Sequence, residues 1–286
     1  PSAHYVRELR RQLGKDCLII VRWNHDAIGQ PVSFPRDNAR EWVNRYWGEM
    51  RAMAGSPPEI DRNVLFEGYN EIPDDLAPLY AIFEVERLKL MHSVGYSAVV
   101  GNFSVGTPDY PVWAKYGIML DAMGPHDDLG LHEYWIDEAD IGNRHHCGRW
   151  LSTRRLLSVP IIVTECGRDV VENRGQPGWL RAGISSEQYL QELRSYDALL
   201  MDCPNVAGAV VFTGGRVDAS SHRDFDVNTL WPQVIAEAEV AEPSPATPSA
   251  PDTLPRTTAE ERYRQALVAI RSQVDSVLEG HYGHNR

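Results

Sequence analysis

The chain of 286 residues suits one large domain or two small ones, and single α/β barrels commonly have this size. Apolar residues make up 43% and charged residues 24%, the balance of a globular protein rather than of a disordered or fibrous one. A formal net charge of -12 leaves no basic patch to displace counterions from phosphates, which argues against a nucleic-acid partner and suits a neutral substrate.

The opening HYVRELRRQLG reads as a helix that leads into a first strand, CLIIV at 17–21. An amphipathic helix over 37–53 precedes the strand VLFEGY at 64–69, and a helix over 75–93 precedes SAVVGN at 97–102. The next helix, over 109–123, opens with Thr107-Pro108-Asp109, a polar cap region with proline near the first turn. LGLHEYW at 129–135 is the fourth strand, followed by a helix over about 143–157 and the strand IIVTE at 161–165. A helix over 185–201, with the polar start Ser185-Ser186-Glu187, leads to the last strand, VAGAVVF at 206–212.

These strands are short, rich in Val and Ile and nearly continuous in apolar character, as in a parallel sheet covered on both faces. Repeated strand–helix alternation gives either an open doubly wound sheet or a closed barrel. No Gly-rich phosphate loop follows a strand, which removes the best evidence for a nucleotide-binding open sheet. Polar residues gather instead at the C-terminal ends of many strands: Arg22-Trp23-Asn24-His25, Asn70-Glu71, Asn102, His132 with Tyr134, and Glu165. That distribution predicts an α/β fold of the (β/α)₈ TIM-barrel kind, whose site is assembled from all its strand tips. Six strands are visible where such a barrel has eight, so the expectation is that about two lie upstream of an N-terminally trimmed chain. An upstream signal peptide, and with it secretion, stays open, and the localisation is unknown.

The barrel is expected over 1–240. EPSPATPSAPDTLP, within 241–257, reads as an extended linker, and 258–286 as one amphipathic helix. Its apolar Tyr263, Leu267, Ile270, Val274 and Val277 are spaced as a coiled-coil seam, which would serve self-association. The same helix could equally dock back on the barrel. No stretch of about 18 apolar residues occurs, so no membrane-spanning helix is expected. Cys17, Cys147, Cys166 and Cys203 are too few and scattered for a disulfide framework, and Cys17 and Cys166 read as small buried hydrophobes.

Two segments end in the same way. VLFEGYNEIP runs from an apolar strand into Asn70-Glu71, with Pro73 turning the chain aside, and IIVTECG ends its strand on Glu165. This pattern resembles the retaining glycoside hydrolases with (β/α)₈ barrels, the clan of cellulases, β-mannanases and β-glucosidases. There Asn-Glu ends the fourth strand and a second Glu the seventh; here the interval from Glu71 to Glu165 is also three strands. His132 and Tyr134 look like the His-x-Tyr pair of the cellulase-like families. The final strand departs from the pattern: Phe212-Thr213-Gly214-Gly215 stands where a Trp usually floors the sugar subsite.

The resemblance implies a β-linked oligo- or polysaccharide as substrate, no cofactor and no metal. Glu71 is then the acid/base, its pKa raised by an apolar setting and a neighbouring negative charge, and Glu165 the nucleophile. Tyr134 would donate a hydrogen bond to Glu165, and Asn70 would hold the sugar 2-hydroxyl. His132, Asn24 and His25 join them as rim residues. Trp135 is the best-placed sugar platform, Trp23 is a second candidate, and Trp113 reads more as helix packing. By strand alternation Glu133 should point into the helix layer. HEYWI lacks the second His of a zinc-protease motif, and His145-His146-Cys147 has no obvious partner pair. The alternatives are a catalytically silent barrel that binds glycans or serves a larger assembly, and an inverting hydrolase.

Overall fold

The computed structural model describes residues 2–23, 39–170, 178–214 and 223–234. The expected site residues Asn24 and His25, the linker and the C-terminal helix lie outside the described residues. The described elements run α1 (Ala3–Leu13), β1 (Ile19–Val21), α2 (Ala39–Ala54), β2 (Val64–Glu67), α3 (Ala77–His92), β3 (Ser97–Phe103) and α4 (Gly117–Ala122). Then follow β4 (Asp128–Trp135), β5 (Ile161–Arg168), α5 (Trp179–Ala182), α6 (Ser186–Met201) and β6 (Val206–Val211). The six strands form one sheet in chain order, and every neighbouring pair is parallel.

The sheet is curled. Leu65 of β2, Val99 of β3, Ile162 of β5 and Ala207 of β6 meet in one small apolar cluster on its inner face, joined by Leu18 and Ile20. A flat sheet would keep β2 and β6 too far apart for such contact. The two edges, β1 and β6, border a shared cavity of about 410 Å³ floored by these side chains. The larger core lies on the outer face, between sheet and helices, and each of its large apolar side chains contributes roughly 1.5–3 kcal/mol by leaving water.

The outer layer is locked to the strands by a buried ion pair. Arg87 of α3 donates to Glu84 and also to the carbonyls of Phe66 and Val99, at 3.0 and 2.9 Å, so its charge is fully hydrogen-bonded to two strands. Gly68 makes room for this: a Cβ there would lie 2.4 Å from Glu84 Oε1. The regular strand therefore stops at Glu67, two residues before the expected end, and the next residues to Glu71 are free to take a special path.

Two expected helices are replaced by tighter turns. The stretch 143–157 folds as two short 3₁₀ turns, Arg149–Ser152 and Arg154–Ser158, because Gly148 adopts the left-handed conformation and Thr153 is extended. Thr107-Pro108-Asp109 is a loop rather than a helix start; a 3₁₀ turn over Val112–Tyr116 leads into the short α4. The polar start of α6 does act as a cap, with Ser185 Oγ accepting from the Gln188 N–H at 3.1 Å. All four cysteines are free and buried. Among the described residues no helix is long and apolar enough to cross a membrane.

Candidate active site

The inner-face residues above the apolar layer are polar. Ile20 and Leu65 belong to the floor, and the residues two further along their strands are Arg22 and Glu67, carried on the same face by the two-residue period. Arg22 forms ion pairs with Glu67 of β2 and with Glu165 of β5. Its Nη2 also lies 3.0 Å from Nε2 of His132 on β4. One guanidinium thus ties together three strand tips besides its own.

Glu165 reaches this layer only through an irregularity. Val163 packs in the outer core, so strict alternation would send Glu165 outward as well. Leu131 pairs with Val163 but His132 pairs with Glu165, so Thr164 is skipped. Thr164 is a bulge, and Thr164 and Glu165 both line the inner cavity as a result.

Glu71 is set by backbone instead. It has φ of 52° and its N–H donates to the carbonyl of Asn102 at 2.9 Å; Asn102 itself has φ of 48°. Two adjacent non-glycine residues of this kind cost on the order of 1–3 kcal/mol each, and such strain gathers at functional sites. Gly130 of β4 permits the arrangement, since a Cβ there would lie 2.1 Å from Asn102 Oδ1. Asn70, half-buried, sits on the same turn.

The two glutamates and the histidine meet. Glu71, His132 and Glu165 each offer an atom within 4.8 Å of the others. His132 Nδ1 lies 2.7 Å from Glu71 Oε1 and 3.6 Å from Glu165 Oε2, and the Tyr134 hydroxyl donates to Glu165 Oε2 at 2.7 Å. Arg22 can only donate, so His132 Nε2 must accept from it and Nδ1 carries the ring proton toward Glu71. Burial and the nearby Glu165 charge push the Tyr134 phenol well above its ordinary pKa, so it remains a donor. Phe212 and Phe225 pack edge-on against the Tyr134 ring at 6.3 and 5.8 Å and hold it in place.

The pKa of Glu71 departs from the sequence expectation. Burial does push it up, but hydrogen bonds from His132 and Ser104 and the positive charge of Arg22 outweigh that. The carboxyl is held below its ordinary value, not above it. The sequence reading counted the neighbouring acid; the hydrogen bond from His132 is what chiefly reverses the balance, with smaller contributions from Ser104 and Arg22.

Three tryptophans offered as sugar platforms are not on the rim. Trp135 is fully buried, donates from Nε1 to Glu192 of α6 at 2.8 Å and packs on Tyr196. The alternation that turns Glu133 toward α6, where it accepts from the Tyr196 hydroxyl, turns Trp135 the same way. Trp23 lies in the outer layer, stacked on Tyr46 and Phe66 and donating to Glu49. Trp113 is buried against Phe103.

The trio of Glu71, His132 and Glu165 has the donor types of a metal site. Arg22, however, already occupies Glu165 Oε1 and His132 Nε2, and a fixed guanidinium on two of three ligands opposes a second cation there.

No protein-family model and no curated sequence matches the chain. Among solved structures it is similar to a Bacteroides uniformis β-glucuronidase, at 15% identity and a TM-score of 0.41 over 74% of this chain and 28% of that one. It is similar also to B. uniformis β-glucuronidase 2 covalently bound to cyclophellitol-6-carboxylate aziridine (14% identity, TM-score 0.40, 74% and 28%). A third is a β-porphyranase of glycoside hydrolase family 86 from the human gut bacterium Bacteroides plebeius (12% identity, TM-score 0.35, 69% and 38%). The chain spans less than half the length of each of these enzymes, and at such identities its chemistry has to be argued from its own residues.

Proposed function

We propose that the protein is a retaining glycoside hydrolase acting on β-linked glycans, with Glu165 as nucleophile and Glu71 as acid/base. The observation that carries this reading is the approach of a Glu71 and a Glu165 oxygen to within 4.8 Å. Retaining enzymes hold their carboxyls about 5–5.5 Å apart, while inverting ones leave room for a water between them. The reading takes the six described strands as the third to eighth of a (β/α)₈ barrel, Glu71 ending the fourth and Glu165 the seventh.

In the first step the Glu165 carboxylate attacks the anomeric carbon, the glycosidic C–O bond breaks, and the Glu71 proton passes to the departing oxygen. In the second, a water attacks the same carbon, gives its proton to Glu71 and releases Glu165. Glu71 must therefore be protonated when the first step begins, although the free site favours its anion. A sugar seated over the carboxyl supplies the correction: it excludes water and separates Glu71 from its donors, both of which raise the pKa. Tyr134 would steady Glu165 through its hydrogen bond, and Asn70 would hold the 2-hydroxyl.

The ion pair between Arg22 and Glu165, with Glu71 held as an anion, also suits a catalytically silent glycan-binding barrel. A panel of β-glucans, mannans, xylans, galactans and amino-sugar polymers separates the two. The hydrolase reading expects turnover of at least one polymer, lost by on the order of a thousandfold in Glu71→Gln and Glu165→Gln with the fold retained. Binding without turnover by the unaltered protein supports the silent barrel.

A further inference from the structure

Trp23, Trp113 and Trp135 are buried in the outer layer, and the aromatic side chains lining the cavity beside Glu165 are Phe212 and Trp231; a ring of the leaving portion needs a further surface on the Glu71 side. Among the described aromatic side chains only Tyr5 and Tyr110 are exposed, and Tyr5 lies on α1, before the first strand. Tyr110 lies on the loop that leaves the tip of β3. It keeps 44% of its surface in solvent, although its surroundings hold it firmly.

The buried Arg149 supports it from below, with its guanidinium carbon 5.8 Å from the ring centroid. Arg149 Nη2 donates to the carbonyl of Pro108, while Nε and Nη1 are buried with no hydrogen-bond partner. The ring lies beside that part of the cation, with the charges of Asp109, Asp74 and Glu133 also nearby. The His145 ring meets Tyr110 at 6.3 Å and 67°, from the loop after β4. A ring fixed on one side and exposed elsewhere loses little freedom when a ligand covers it.

The loop is moored to the Glu71 side of the cleft. Ser104 hydrogen-bonds the Glu71 carboxyl, Thr107 donates twice to the Ser104 carbonyl, and the Asp109 N–H donates to Asp74, three residues beyond Glu71. Glu165 stands on β5, beyond β4. In a double displacement the nucleophile and the departing oxygen lie on opposite sides of the anomeric carbon, and the acid stands by the departing oxygen. The leaving part of the glycan therefore extends over the Glu71 side, toward Tyr110.

We propose that Tyr110, backed by Arg149, is a stacking platform for a pyranose ring of the leaving portion of the chain. This deepens the hydrolase reading and rests on it. The ring's axial C–H face would lie on the exposed tyrosine, leaving its hydroxyls in water.

The test compares Tyr110→Ala, Tyr110→Leu and Tyr110→Phe on two probes of one sugar: a β-glycosyl fluoride, whose leaving group is a single atom that cannot reach the platform, and the β-linked tetrasaccharide. The sugar is the one the unaltered protein accepts. The alanine and leucine variants should lose roughly 5- to 10-fold in kcat/KM on the tetrasaccharide, through KM, with the glycosyl fluoride unchanged. The phenylalanine variant, which keeps the flat face, should match the unaltered protein on both. Equal losses on both probes, or none on the tetrasaccharide, overturn the platform. If the unaltered protein cleaves no probe, the hydrolase reading fails by itself. Binding of gluco-, manno- and xylo-tetraose, followed by ligand-observed NMR, then decides: binding lost in Tyr110→Leu supports the platform, and binding unaffected or absent overturns it.

Discussion

Arg22, just past β1, and Glu165 on β5 lie four strands apart in the sheet order, yet their side chains form a direct ion pair across its inner face. The contact exists because the sheet curls and because the bulge at Thr164 turns Glu165 inward. Arg22 also holds Glu67, which is only 2% exposed. Removing one partner from such a pair leaves a buried charge uncompensated. Arg22→Met should therefore lower stability to urea by about 3 kcal/mol, and Glu67→Gln added to it should restore part of that loss. Strict additivity of the two changes would show that the pair is not coupled.

His132 governs the protonation of Glu71. Its Nδ1–H favours the Glu71 anion, so His132→Ala removes a stabiliser of the charged form and the Glu71 pKa rises. The acid form then persists to higher pH. The alkaline limb of kcat/KM, which reports the free enzyme's essential acid, should shift upward, with a lower rate at the optimum. An unmoved limb, or a downward shift, would contradict this role.

Much of this was legible in the sequence. The Val- and Ile-rich runs mark the six described strands, and the matching ends at Asn70-Glu71 and Glu165 mark two carboxylates that come together in space. Strand alternation placed Glu133 correctly in the outer layer, and the same rule, carried two residues further, also places Trp135 there. Other features depend on contacts between distant segments. Nothing local to IIVTECG announces a bulge at Thr164, whose register is set by pairing with β4. The short end of β2 comes from the fit of Gly68 to Glu84, a residue of the following helix. Arg22 reads as one polar residue among several at a strand tip until the sheet curls and brings Glu67 and Glu165 to it.

The outer layer carries its own pH dependence. Glu133 is fully buried, accepting from the Tyr196 hydroxyl and more weakly from the Arg149 N–H, and burial pushes its pKa from 4.5 to about 7. Cys147, Cys166 and the Arg149 side chain complete its charged and titratable surroundings. The folded state binds this proton more tightly than the unfolded chain. The associated stability is therefore complete below about 4.5 and is lost as pH rises through about 7. The difference amounts to roughly 3 kcal/mol. Urea midpoints at pH 5 and pH 8 should diverge for the natural protein and converge for Glu133→Gln; equal pH responses in the two would contradict the burial argument.

The most direct test of the two-carboxylate account is covalent trapping. A 2-deoxy-2-fluoro β-glycoside of the accepted sugar, carrying a good leaving group, should inactivate the protein. Peptide mass spectrometry should then find one fluorosugar ester on the peptide that contains Glu165, absent when Glu165→Gln is treated alike. A label on any other residue, or efficient glycan cleavage by Glu165→Gln, would contradict the assignment of Glu165 as nucleophile.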